Sequence, residues 1–238
     1  MPVEGIATPE AVFAPVVSPT AFEETVERLG TAIKLGLLAP GSRLPAEREL
    51  CARLGIARST LRQALGALAD SGHLRAVRGR GGGTFVAERL PAVEPPTEEE
   101  LAGWREACDA RLAVEVGVAV LAAERATAAQ VAALSAIVDE LRDLTDDFAA
   151  YRAADVRFHL MLAQTTGSVR LEQAMTEAQG EMTDLIAHIA HPPQVLRSSN
   201  AQHAAIVATI RDGDRGRAGA LMAAHLHGTE HVLAGLLP

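Results

Sequence analysis

Phe22, Val26, Leu29 and Ile33 recur at three- and four-residue intervals behind Thr20 and Glu23, a pair spaced for a capping box. They predict a helix that stops near Leu37, ahead of Ala39-Pro40-Gly41. A second, short helix follows Pro45, carries Leu50, Cys51 and Leu54 inward and ends at Gly55. A third runs from about Arg58 to Asp70 with Leu61, Leu65 and Leu68 on one face, and Ser71-Gly72 breaks it. The pattern then changes: residues 74–77 and 84–86 read as two short strands joined by the glycine-rich stretch 79–83. Residues 1–18 are Pro-rich and aperiodic, which predicts a flexible arm, and PAVEPPT at 91–97 reads as a linker. Beyond it every periodic stretch is helical. Thr97 with Glu100 and Thr127 with Gln130 repeat the capping signal, and breaks fall near 125–128, at Gly167, at 191–193 and at 212–214.

Helix, helix, turn, helix and two strands around a glycine loop make a winged helix-turn-helix. The expected fold is therefore mostly α: a winged helix-turn-helix over residues 19–90, then an all-α bundle of six or seven helices over 98–238. Composition fits it. Aromatics are only 3% of a chain that is 48% hydrophobic, so the core is built from Ala, Leu, Val and Ile, which suits packed helices. MPVEGIATPE lacks the basic start of a secretory signal, and no uncharged apolar run reaches the roughly 18–20 residues of a membrane span. Cys51 and Cys108 form no C-x-x-C pair and read as small apolar side chains in a reducing cytoplasm.

A net charge of −8 argues against nucleic acid until its distribution is considered. Between Arg43 and Arg89 lie nine arginines against four acids, whereas acids dominate from residue 96 onward. Every basic residue but one is Arg, suited to bidentate contacts with phosphate and guanine. The third helix turns Arg58, Ser59, Thr60, Arg62 and Gln63 outward, the position from which a recognition helix meets a major groove. The loop RGRGGG offers Arg78 and Arg80 as charge and its glycines as close backbone approach to phosphates. The alternatives are a merely solvated helix face and a nucleotide-phosphate cradle. The latter lacks the G-K-[ST] ending and the following helix.

Farther on, Asp155 and His159 stand four apart on one predicted helix, with His203 and His225 on later ones. An Asp and three imidazoles converging in a bundle would suit a transition metal; a D-x-x-x-H pair on a solvated surface is the plainer alternative. A metal-dependent hydrolase would need a general base beside an open site, and the chain has no H-E-x-x-H motif.

Residues 44–86, LPAERELCARLGIARSTLRQALGALADSGHLRAVRGRGGGTFV, resemble the GntR family of bacterial regulators in motif order and spacing. The resemblance implies that Arg48 contacts the DNA backbone, that Arg58 and Arg62 read the operator with Ser59 and Thr60 between them, and that wing glycines such as Gly81 and Gly82 approach the minor groove. Ala57 departs from the family's usual Ser or Thr and weakens the cap of the recognition helix. Residues 101–234 resemble the FCD effector domain of the FadR-like subfamily, through DVRFHLMLAQTTGS (155–168) and QHAAIVATIRDGDRGRAGALMAAHL (202–226). Ser168, where Asn is common, is a local departure. This resemblance implies a divalent metal on Asp155, His159, His203 and His225, with zinc the first choice and nickel or iron the alternatives. It also places Arg111 toward the effector, although an ion pair with Glu115 explains the same Arg. The expectation is a cytoplasmic homodimeric regulator, by default a repressor, on a palindromic double-stranded operator, responding to a small carboxylate. The alternatives are a FadR-like regulator sensing its ligand without metal, and an architectural DNA binder with a degenerate sensor.

Overall fold

The computed structural model describes residues 13, 20–34, 37–79, 82–89, 98–186 and 191–236. The linker 91–97, with Thr97, and the wing residues Arg80 and Gly81 lie outside the described residues, as does most of the N-terminal arm. The chain divides into two compact units.

The first unit holds α1 (Ala21–Lys34), α2 (Glu47–Leu54), α3 (Arg58–Asp70), β1 (Leu74–Val77) and β2 (Gly83–Val86). Residues 191–195 and 228–236 belong to it as well. The apolar stripe of α1 is buried as its spacing predicts, and Leu50, Leu54, Leu61, Leu65 and Leu68 share its core. Phe13, the described part of the arm, is buried there too, with the Arg53 guanidinium over its ring. Gly55, at φ 68°, closes α2 in the left-handed conformation that glycine tolerates best. β1 and β2 pair antiparallel, Leu74 opposite Val86 and Val77 opposite Gly83. Residues 41–44, between α1 and α2, pad the other edge of β2: Leu44 N–H donates to Thr84 O, and Val86 N–H to Ser42 O. Near the C-terminus, Val232 enters the same core and His231 Nδ1 meets Glu27 Oε2.

The second unit contains α4 (Glu98–Arg125), α5 (Ala128–Asp143), α6 (Phe148–Thr165) and α7 (Val169–Ile186). It also contains most of α8 (Pro193–Arg211) and of α9 (Arg215–Leu236). Its core is aliphatic, with Val118, Ala122, Leu134, Leu162, Met175, Ile206 and Met222 around Phe158. The helix ends follow local chemistry. Thr127 and Gln130 form the anticipated capping box at α5. Pro193 opens α8, where its missing N–H costs nothing. Gly167 and Gly213, both at positive φ, lie just beyond α6 and α8. One break was not anticipated: residues 144–147 turn, and the Asp147 carboxylate accepts from Ala150 N–H to cap α6. Leu141, Leu144, Phe148 and Tyr151 cluster around that turn.

Ala57 stands at the start of α3 in extended geometry with no side-chain cap. Ala57→Ser should therefore raise stability by about 1 kcal/mol, measured by urea unfolding. An unchanged midpoint would mean that the orphan N–H groups of α3 are already satisfied.

Candidate functional site

The first unit presents an arginine-rich face. Leu61, Ala64, Leu65, Ala67 and Leu68 are buried on α3, which turns Arg58, Ser59 and Arg62 to solvent and leaves Thr60 half-buried. Arg48 on α2 and Arg78 at the wing are also exposed. Arg58 is not idle: its Nε pairs with Glu47 Oε2 at 3.1 Å. Gly82 is held by more than ligand access. A Cβ there would lie 2.4 Å from Val77 O, so the wing's own backbone requires glycine. Sequence reasoning missed Arg43 and Arg75. Both place their guanidiniums near the Phe85 ring, and Arg43 Nη2 donates to Gly82 O, so these two arginines brace the wing.

In the second unit the four residues read as metal ligands come together. Asp155 and His159 project from α6, His203 from α8 and His225 from α9. All four are buried, the imidazoles almost completely. His203 Nε2 lies 3.2 Å from His225 Nε2 and 3.6 Å from Asp155 Oδ1, and His159 Nε2 lies 3.9 Å from that oxygen. One ligand atom from each histidine falls within 4.8 Å of the others. Donors bound about 2.0–2.2 Å from one ion stand at such separations. His159 Nε2, fully buried, has no hydrogen-bond partner. An orphaned imidazole nitrogen aimed at two others and a carboxylate oxygen is the arrangement a divalent ion would satisfy. The residues fit the metal.

Electrostatics favour the same protonation states. Burial lowers the His203 pKa to about 3 and that of His225 well below its ordinary value, so both rings are neutral near pH 7. Burial alone would raise the Asp155 pKa, but its basic neighbours, His159, His203, Arg152 and Arg111, together outweigh burial and hold the pKa below its ordinary value. Glu115 is lowered to about 2 in the same way, burial being overcome by His159 and Arg111. Arg111 Nε donates to Glu115 Oε1 at 2.6 Å, both side chains buried, so the ion pair exists. The charge of Arg111 also acts on Asp155, His203 and His225. The sequence did not single out Arg152 or Gln179. Arg152 donates to Asp155 Oδ2 and to Gln179, and all three are buried.

A small wing beside an arginine-bearing helix, carried on a chain with a second, helical unit, defines a DNA-binding regulator. The comparisons agree. The gntR family model of bacterial regulatory proteins matches residues 22–86, and the FCD domain model matches 106–228. The chain belongs to the GntR family, with an FCD domain: a DNA-binding transcriptional regulator, not an enzyme.

It is 31% identical over 223 residues to an Escherichia coli protein named for regulation of the L-lactate dehydrogenase operon, covering 86% of this chain and 83% of the relative. It is 29% identical over 217 residues to the galactonate operon transcriptional repressor of E. coli, covering 84% and 91%. It is 28% identical over 213 residues to LutR of Bacillus subtilis, covering 85% and 96%. The solved structure of E. coli McbR/YncC shares the fold at 21% identity and a TM-score of 0.53, over 92% of this chain and 98% of that one. Among the described residues no helix is long and apolar enough to cross a membrane.

A pH dependence follows from the buried imidazoles. The unfolded chain binds protons on His203 and His225 below about pH 6.5, while the folded protein does not until far lower pH. Stability of the metal-free protein should fall as pH drops below 6.5, by up to about 1.4 kcal/mol per pH unit for each histidine. His203→Gln should flatten that slope in urea midpoints taken between pH 6.5 and 5. An equal slope in the variant would show that His203 is protonated in the folded state.

Proposed function

We propose that this regulator is a cytoplasmic homodimer that represses transcription from a palindromic operator, and that a small carboxylate bound at a metal in the second unit relieves repression. The observation that carries this reading is the convergence of Asp155, His159, His203 and His225 on one buried point. The charge balance around it supports the effector class. Arg111 and Arg152 offset Glu115 and Asp155 where all four side chains are buried, and burial keeps His203 and His225 neutral. A divalent ion adds two positive charges to a medium that tolerates them poorly, and an anionic ligand offsets them. Asp155 and the three histidines would hold the metal, zinc being the first choice and nickel or iron the alternatives. The ion would supply a Lewis-acidic anchor for carboxylate oxygens. Arg111, whose charge reaches the same residues, would supply a second anion contact. Relatives named for L-lactate dehydrogenase and galactonate operons favour hydroxy acids as the class, and the galactonate repressor favours repression.

On the DNA side, Arg58 and Arg62 would read bases. Arg48, Ser59, Thr60, Arg78, Arg80, Gly81 and Gly82 would contact backbone or minor groove. Two-fold symmetry of the protein calls for a two-fold operator. Effector acts by binding one dimer arrangement better than the other, and shifts the balance only by that difference.

The test is a thermal-shift series with lactate, galactonate and other small carboxylates, with and without a strong chelator. An acid at about 100 times its Kd should add about 2.7 kcal/mol to the folded state, and chelation should abolish the gain. Stabilisation that survives metal removal would leave Arg111 and its neighbours as the sensor; no shift with any acid would remove the carboxylate reading. Arg62→Ala should cost operator binding about 1–3 kcal/mol while random DNA is affected less. Equal binding of both DNAs at wild-type strength would overturn the recognition-helix assignment.

A further inference from the structure

We infer that Gln179 closes a hydrogen-bonded tie that positions the two α6 metal donors, Asp155 and His159, from outside the metal site. The inference rests on the metal reading above. The tie starts at Asp155, whose Oδ2 accepts from Arg152 Nη1 at 2.6 Å, leaving Oδ1 turned to the imidazoles. Arg152 Nη2 donates to the Gln179 backbone carbonyl at 2.9 Å and to its side-chain Oε1 at 3.0 Å. Gln179 Nε2 then donates to Glu115 Oε1 at 2.8 Å, the oxygen that also accepts from Arg111. Glu115 Oε2, the other end of that carboxylate, meets His159 Nδ1. The chain of contacts leaves one donor of α6, crosses α7 and α4, and returns to the other donor of α6.

The residue type at 179 is dictated by its two neighbours. A guanidinium only donates and a carboxylate only accepts, so the link between them must accept at one end and donate at the other. A primary amide does both, and this arrangement also fixes which way the amide faces. A carboxylate there would oppose Glu115, and an apolar side chain would make neither bond. Metal-bound imidazoles hold their orientation through the nitrogen that does not bind the ion, and loss of such a partner typically weakens metal binding about 10–100-fold. Here the carboxylate serving His159 is tied, through a neutral amide, to the guanidinium serving Asp155. Gln179 carries no charge, and through its bonds to Arg152 and Glu115 it acts on the metal by position.

The experiment is Gln179→Leu. It leaves the net charge unchanged. Arg152 keeps the Gln179 backbone carbonyl, and Glu115 keeps Arg111, so neither buried charge is left alone. Zinc affinity, read by competition with a chromophoric chelator, should fall about 10–100-fold. The visible spectrum of the cobalt-loaded protein should change in position or intensity, because two donors are less well held. The urea midpoint of the metal-free variant should stay near that of the wild type, a result that a merely structural side chain would not give together with lost affinity. Arg152→Lys keeps the charge on Asp155 and gives up the double reach to Gln179. It should weaken zinc in the same direction by a smaller factor, and it decides the question should Gln179→Leu fail to fold. Wild-type affinity and an unchanged cobalt spectrum in the folded variant would overturn the tie alone. A wild-type protein that takes up no metal would overturn the metal reading and the tie with it.

Discussion

Charge buried in an apolar helical bundle must be matched where it stands, and that constraint organises the second unit. Arg111, Glu115, Arg152 and Asp155 are all buried, in a unit whose hydrophobic core is built of Ala, Val, Leu, Ile, Met and Phe. Removing one partner of such a set strands an uncompensated charge and costs about 3–5 kcal/mol, far more than an exposed pair is worth. Register among α4, α6 and α7 is therefore fixed by polar contacts as much as by packing. Stability alone does not account for them, since apolar residues of equal volume would serve as well or better. What the polar set does, and an apolar one would not, is present a carboxylate oxygen and imidazole nitrogens to a common point.

The first unit obeys a different constraint, the close approach of backbones. At Gly82 the wing folds so tightly that a methyl group would meet Val77 O. At Gly30 a Cβ would lie 2.2 Å from Gly235 O, so α1 and the C-terminal end of α9 touch along glycine surfaces where no side chain fits. Arginines then divide by task. Arg43 and Arg75 are engaged with the wing and its Phe85, while Arg48, Arg62 and Arg78 remain on the surface. The wing is thus braced by exposed arginines that the same sequence pattern would have assigned to nucleic acid.

Much of this was legible in the chain. The stripes of α1 and α3, the Thr127–Gln130 cap and the strand pair follow from period and local chemistry, which need no knowledge of distant residues. Asp155 and His159 were legible as a pair because helical spacing alone puts them side by side. The turn at 144–147 was hidden because the apolar period of Leu141, Leu144, Phe148 and Tyr151 runs across it unbroken. The edge pairing of residues 41–44 was hidden because Pro40-Gly41 reads as loop. Arg152 and Gln179 were invisible for a more basic reason: each looks like an ordinary polar helical residue, and their joint role depends on α6 meeting α7, which no local pattern encodes. Arg111 shows the limit of choosing between two readings, since its ion pair with Glu115 is present and its charge still reaches the donors.

The Glu47–Arg58 pair raises the question of whether an acidic residue on the arginine face opposes DNA. The Arg58 side chain is 75% exposed and that of Glu47 35%, so water and salt screen the pair heavily. Pairs of this kind contribute about 0–1 kcal/mol, whereas a bidentate Arg–guanine contact discriminates by about 1–3 kcal/mol. If Arg58 reads a base as proposed, exchanging one for the other leaves a surplus at the correct base. The same screening answers the net charge of −8. At physiological salt the charges that matter to a phosphate lie within about 8 Å of it, and among the described residues of α3 and the wing the exposed charges are Arg58, Arg62, Arg75 and Arg78 against Asp70. A net-acidic chain therefore does not repel DNA as a whole: the field a phosphate meets is set by the charges near it, and the carboxylate at position 47 lowers it by no more than an exposed pair is worth.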